Sequence, residues 1–426
     1  MKILISQGRV IDPASGLDAM AEVAIDGGVV LAVGAAPSGF APDRVIDASG
    51  CLVLPGLVDL AARLREPGYE HEGMLASELA AAAAGGITRL VCPPDTDPVL
   101  DEPGLVEMLC HRAEKQQRTR LHPLGALTRG LAGEVLTEMA ALTEAGCVGF
   151  GQADVPLGNT QVLQRALQYA STFGYTLWLR PQDRDLGMGV AASGALAMRL
   201  GLPGVPVAAE TIAAFTILEL MRGTGARVHL CRLSSAAGVA LVRAAKAEGL
   251  PLSCDVSINS LHLCDVDIGY FDSRAHLRPP LRQQRDREAL SAALADGTID
   301  ALVSDHTPVQ SDAKTLPFAE SEPGATGLEL LLPLALLWGE RSGAGRLRAI
   351  EAVTTAPARI LGGAVAAHGL KPGAPADICI ADPALEWQVG PGTLRSQGKS
   401  TPFSGLLLNG RARYTLVDGR IVHEAA

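Results

Sequence analysis

The chain has 426 residues, 48% of them hydrophobic and only 4% aromatic, and carries a formal net charge of −10. That acidic balance, without any Lys/Arg block, excludes wholesale binding to nucleic acid or acidic membrane, where cations must neutralise phosphates. No run of about 18 uncharged apolar residues is present, the length a bilayer core demands, and Met1 to Ser6 read as a strand and not as a leader, so a cytoplasmic location is expected.

Residues 1 to about 54 are rich in short β signals. Lys2-Ile3-Leu4-Ile5 leads into a turn at Pro13 and Gly16. The stretches 21–26 and 29–33 flank Gly27-Gly28, a hairpin signal, and Val45 to Ala48 is a further strand. From residue 52 the rhythm changes. Strands are expected at 52–60, 88–92, 121–126, 148–150, 175–179, 227–231, 252–256 and 301–304. Helices are expected between most of them, at 74–84, 133–145, 160–173, 210–223 and 236–248. Eight strands alternating with helices predict a (β/α)8 TIM-type barrel over residues 55–364. An open doubly wound sheet would want a glycine-rich phosphate loop after its first strand, and none is seen. After about residue 365 the β rhythm returns at 377–380, 406–408 and 414–417, with Asp418-Gly419 as a tight hairpin. Residues 1–54 and 365–426 are therefore expected to form one composite β-sandwich.

Eight cysteines occur, at positions 51, 92, 110, 147, 231, 254, 264 and 379, several of them in apolar runs and none in a CxxC pair. Buried free thiols in a reducing compartment are expected. His262 stands two residues from Cys264 and eight from Cys254, which suggests ligands, but structural zinc normally takes four.

An ordered set of motifs runs along nearly the whole chain: Pro55-Gly56-Leu57-Val58-Asp59-Leu60; Leu64-Arg65-Glu66-Pro67-Gly68; Gly85-Gly86-Ile87-Thr88 with Pro94-Asp95-Thr96-Asp97-Pro98; residues 199–206 with Glu210; Pro279-Pro280-Leu281-Arg282; Ser304-Asp305-His306-Thr307-Pro308; and Thr401-Pro402-Phe403. This set resembles the dihydroorotase branch of the amidohydrolase superfamily. The resemblance implies a barrel that closes carbamoyl-aspartate to dihydroorotate reversibly, using one or two zinc ions and a carboxylate that shuttles the proton.

Against that expectation the metal site is degenerate. The two histidines of the family's first strand correspond to Ala61 and Arg63. The carboxylate after strand four falls at or beside Ala153, with Asp154 one place further on. The histidines after strands five and six correspond to Arg180 and Arg232. Alanine has no donor atom, and a guanidinium is a permanent cation that cannot ligate a metal. His229 remains, three residues before Arg232, a step that puts it on the other face of the strand as a packed wall residue. Asp305 survives as a vestigial catalytic carboxylate, read as paired with arginine. Arg65 is kept, and the resemblance implies that it grips a substrate carboxylate. Asparagines expected beside it correspond to Asp95 and Arg278, and the histidine closing the last motif corresponds to Val309. Arg63, Arg180 and Arg232 are expected to fill the barrel mouth and pair with Asp305, Asp95 or a bound anion, with no metal cofactor.

The resemblance extends to inactive dihydroorotase-like chains that assemble with aspartate carbamoyltransferase, which implies a structural role in a homo- or hetero-oligomer. The polar loop from Gln310 to Pro323 offers a surface for a partner, though a solvated loop fits it equally. Two other functions stay open: a hydrolase with residual activity or a rebuilt metal site, and a sensor whose arginine-lined mouth binds an anionic pyrimidine intermediate.

Overall fold

The computed structural model describes residues 1–362 and 369–425. The expected domain boundary at 364/365, and His368, lie outside them. Eight parallel strands form the barrel: Leu57–Asp59, Ile87–Cys92, Arg120–Pro123 continued by Gly125–Ala126, Phe150–Gly151, Thr176–Leu179, Arg227–Leu230, Leu252–Ser257 and Ala301–Val303. Neighbours in sequence are neighbours in space. The ring closes between the last and first strands, where the Arg63 amide donates to the His306 carbonyl at 2.8 Å and the His306 amide donates to the Ala61 carbonyl at 3.1 Å.

The strands are apolar because both faces are covered. All six residues of Ile87–Cys92 are buried, as parallel strands under helices require. One face joins the large core beneath the helices. The other fills the barrel with Val58, Leu60, Val91, Leu124, Trp178, Ala301 and Val303. The helix Thr160–Phe173 shows how the outer layer is specified. The Asn159 side chain accepts from the amides of Gln161 and Val162, and Gly174 ends the helix in the left-handed region. Val162, Leu163, Ala166, Leu167 and Ala170 make its buried stripe.

Two sequence expectations change. The strand expected at 52–60 splits at Gly56: Leu52–Pro55 joins the terminal sheet and Leu57–Asp59 the barrel. A side chain at Gly56 would meet the Thr88 side chain at 2.2–2.7 Å, so only glycine lets the two strands cross so closely. The helix expected at 133–145 shrinks to Met139–Glu144, because the chain ahead of it turns through Gly133 at φ 77°.

The β domain draws on both ends of the chain. Its eight strands are hydrogen-bonded into one continuous sheet, in which Leu52–Pro55 from the first part pairs antiparallel with residues 378–381 from the last. It encloses a separate core around Ile3, Ile5, Val23, Ile378 and Ile380. The Gly27-Gly28 and Asp418-Gly419 hairpins form as expected, with positive φ at all four residues. Asp377 ties this domain to the barrel floor through Arg89 and Arg120, at 3.0 and 2.5 Å. Among the described residues no helix is long and apolar enough to cross a membrane.

Candidate functional site: an arginine-filled barrel mouth

Four non-glycine residues with positive φ stand just past the C-terminal ends of barrel strands: Arg65 (67°), Ala153 (49°), Arg232 (56°) and Asp305 (52°). Such backbones cost about 1–3 kcal/mol each and persist where the surroundings over-determine them. At Ala153 the turn breaks the strand's alternation and delivers the next residue, Asp154, to the mouth. At Arg232 it brings the guanidinium there as well.

Asp154 is the hub. Its Oδ1 lies 2.7 Å from Arg180 Nε and 2.5 Å from Arg232 Nη2, and its Oδ2 accepts from Arg63 Nη2 at 2.9 Å. Arg63 also reaches Asp95 through Nε at 2.8 Å and Thr307 Oγ1 through Nη1 at 3.1 Å. Arg232 Nη1 donates to Asp305 at 3.0 Å and to the Arg278 carbonyl at 3.2 Å. Three guanidiniums thus face three carboxylates, and the formal charges cancel without a bound ion. The arginine side chains are only 5–9% exposed.

The titration pattern follows from the geometry. Burial would push the Asp154 carboxyl up, but Arg232, Arg63 and Arg180 outweigh it and hold it well below the usual aspartate range. Asp305, with one arginine partner, is raised: burial leads, and Arg232 and Arg63 offset it only in part. Arg180 falls to about 10, through burial first, against the pull of Asp154.

Beneath the mouth lies a buried relay. His229 points into the barrel interior, with its ring 4.4 Å from that of Trp178, and not out into the wall as strand parity predicts. Nε2 meets Asp255 Oδ2 at 2.8 Å and Nδ1 meets Ser253 Oγ at 2.9 Å. The other Asp255 oxygen accepts the Arg232 amide at 2.6 Å. Asp255 therefore fixes the backbone of an arginine whose φ is unfavourable. Ligand atoms of His229, Cys231 and Asp255 lie within 4.8 Å of one another, the one such group among the described residues. Both Asp255 oxygens are already engaged, and burial pushes the Cys231 thiol well above its usual range, away from the thiolate a metal needs. His262, Cys264 and Cys254 do not gather: His262 Nε2 lies 3.0 Å from the Leu334 carbonyl and the Cys254 thiol points at the Thr298 carbonyl.

The remaining residues singled out from sequence divide. Asp95 and Asp305 join the cluster, and Ala61 and Ala153 border it without donor atoms. Arg278 is exposed and contributes its carbonyl to Arg232; its side chain lines a cavity of about 580 Å³ with Asp154, Asn159, Gln182 and Arg184. Arg65 turns away to Glu72 at 2.7 Å and Glu322 at 3.6 Å. His306 is buried against Glu78 at 2.9 Å and accepts the Gly327 amide, a structural pairing. The hub, Asp154, is the residue that sequence reasoning left half-placed; its only sequence signal is its position beside a ligand slot. Zinc does not fit this donor set. The positions that the family resemblance gives to imidazoles hold guanidiniums or a methyl group, and the carboxylates Asp154 and Asp305 are bound by the guanidiniums.

Comparison with known proteins locates the fold and the lineage. A dihydro-orotase-like family model matches residues 50–237, and an amidohydrolase family model matches residues 203–422. Dihydroorotase-like proteins of Pseudomonas putida and Pseudomonas aeruginosa are 44% identical, over 99% of both chains and 100% of both chains respectively. A dihydroorotase of Geobacter sp. is 40% identical over the full length of both. The L-hydantoinase (dihydropyrimidinase) of Arthrobacter aurescens superposes with a TM-score of 0.86 over 99% of this chain and 96% of that one, at 25% identity.

Proposed function

We propose that this chain, which belongs to the dihydroorotase-like family of amidohydrolases, is a non-catalytic member acting as an assembly subunit for aspartate carbamoyltransferase in pyrimidine biosynthesis. One observation carries the loss of catalysis: Asp154 is saturated by Arg63, Arg180 and Arg232, side chains standing where the family's chemistry needs zinc ligands.

Hydrolysis of a cyclic amide by this family needs a Lewis acid to polarise the carbonyl and to lower the pKa of the attacking water, contributions worth several kcal/mol of barrier. A guanidinium can stabilise an oxyanion but cannot make hydroxide from water at neutral pH. Asp305, the surviving carboxylate, is engaged by Arg232 and is no longer free to accept a proton from water. A lineage of cyclic-amide hydrolases thus ends here in a mouth built from ion pairs. The scaffold is intact, since the match to the dihydroorotase-like proteins spans the whole chain, and an intact scaffold with a filled site suits a role in assembly. The sensor reading finds less support, because the three arginines meant for an anion already hold carboxylates of the chain itself.

Co-expression with the transferase tests the reading. Co-elution in a complex on sizing, transferase activity that needs this chain, and no dihydroorotate hydrolysis by the purified chain with or without added zinc are the expected results. A chain that elutes alone while the transferase is fully active without it defeats the assembly role. Chelator-sensitive turnover, or stoichiometric zinc at the mouth, defeats the non-catalytic one.

A further inference from the structure

Arg65 inverts the arrangement at the mouth. One guanidinium, 10% exposed, is shared by two carboxylates from different loops. Glu72 comes from the loop after the first barrel strand, with a side chain only 4% exposed. Glu322 comes from the loop after the last strand and is 39% exposed. Arg65 is held in place from two further sides: Nε donates to the Pro308 carbonyl at 2.9 Å, and the guanidinium lies over the Tyr69 ring at 5.8 Å. No neighbouring cation contacts either glutamate as closely as Arg65 does. His71, 58% exposed, reaches Glu72 only at 3.9 Å. Lys314, on the same loop as Glu322, directs its ammonium to the carbonyls of Ser273 and His276; it keeps its charge and acts on Glu322 only through space, without an ion-pair contact. Arg63, behind Arg65, is committed to Asp95 and Asp154. With both glutamates ionised, Arg65, Glu72 and Glu322 together carry a net charge of −1, and one Glu72 oxygen is buried without a hydrogen bond.

We propose that Glu72 and Glu322 share one proton on Arg65, forming a pH-sensitive latch that holds the end of the 310–323 loop against the loop at 66–74. Protonated Glu72 donates to Glu322 and removes the excess charge. When that proton leaves, the two carboxylates repel, and the half-exposed Glu322 is the one able to move into water.

The direction follows from linkage. Burial foremost raises Glu72 to about 7; Arg65 opposes the shift, and Glu322 adds to it. An opened latch returns Glu72 toward the ordinary glutamate range. The closed form therefore binds the proton more tightly, so closure weakens as pH rises from about 4.5 to about 7 and levels off above that. The middle of the loop stays pinned by other contacts: Phe318 stacks on His276 at 5.0 Å, and Ser321 Oγ bonds the same ring at 3.0 Å. Opening is thus confined to the Glu322 side chain and its adjoining backbone, where the Glu322 amide donates to the Ala313 carbonyl at 3.3 Å and the Gly324 amide to the His276 carbonyl at 3.0 Å. This inference is independent of the assembly role.

Amide hydrogen exchange on the full-length chain between pH 5 and 8, corrected for intrinsic rates, reads the latch in peptides covering residues 66–74 and 319–325. Protection is expected to fall by up to about tenfold per pH unit between 5 and 7, the limit for one proton, and then to stay flat. Glu72→Gln keeps the loop protected at every pH. Glu322→Gln, at a half-exposed position that leaves the core untouched, relieves the repulsion and reduces the slope. His71→Gln leaves the wild-type profile unchanged. A wild-type profile without slope overturns the proposal. So does a full slope retained in Glu322→Gln, or one lost in His71→Gln.

Discussion

Asp154 and Arg65 lie at the same end of the barrel and solve opposite problems. At Asp154 one carboxylate anchors three guanidiniums, and Asp95 and Asp305 bring the total to neutrality. At Arg65 one guanidinium serves two carboxylates, and neutrality requires a proton. Burial opposes ionisation in both places. What differs is whether the protein supplies enough counter-charge, and that decides which group stays permanently ionised and which one titrates near neutrality. The comparison shows that a buried ion cluster stays ionised when its own charges balance, while a similar cluster one charge short remains responsive.

Removing the hub tests this most severely. Asp154→Ala leaves three buried guanidiniums without their shared partner, and breaking a buried ion pair typically costs about 3–5 kcal/mol. Urea unfolding at pH 7 is expected to show a loss of that size; a change below about 1 kcal/mol, the worth of an exposed pair, would mean that the cluster is solvated and inconsequential. Asp255→Asn probes the support beneath. Losing the charged acceptor of the Arg232 amide and of His229 is expected to cost about 1–3 kcal/mol. Unchanged stability there would show that the positive φ at Arg232 needs no such tether.

The two centres should also respond to acid with opposite sign. Asp154 is held below its unfolded value, so its contribution is fully present above the ordinary aspartate range and is lost as pH falls below it. The stability gap between wild type and Asp154→Asn should stay constant from pH 5 to 8 and narrow below about 4. Glu72 is held above its unfolded value, so the wild type loses stability relative to Glu72→Gln as pH rises from about 4.5 to 7. That gap is expected to reach at most about 3 kcal/mol at pH 8, the worth of a shift from the ordinary glutamate range to about 7. Parallel pH profiles for the two variants would dissolve the distinction between a balanced and an unbalanced cluster.

Much of the barrel was legible because its strands are short apolar runs at regular spacing. The exceptions have local causes: Gly56 divides one strand between two domains, and Gly133 shortens a helix. At the mouth, the three arginines and two of their partners, Asp95 and Asp305, were legible through the family resemblance, which gives those positions a role. Asp154 and the inward face of His229 were not. The family resemblance puts the ligand slot at or beside Ala153, and alternation along a strand puts His229 in the wall, yet positive φ at Ala153 and Arg232 turns the chain where the sequence shows only alanine and arginine. Arg65 was expected among the anion-binding residues, and its partners Glu72 and Glu322 come from loops that share no sequence pattern.

The chain by itself determined the alternating β/α layout, the β-rich ends and the absence of imidazole and thiolate donors at the positions that the family resemblance gives to metal ligands. These depend on residue type and spacing, which hydrophobic burial and ligand chemistry read directly. Which carboxylate each arginine meets, and whether the charges at each centre balance, was decided only by the folded structure. Pairing depends on distances between loops far apart in sequence and on backbone turns that no side-chain identity announces.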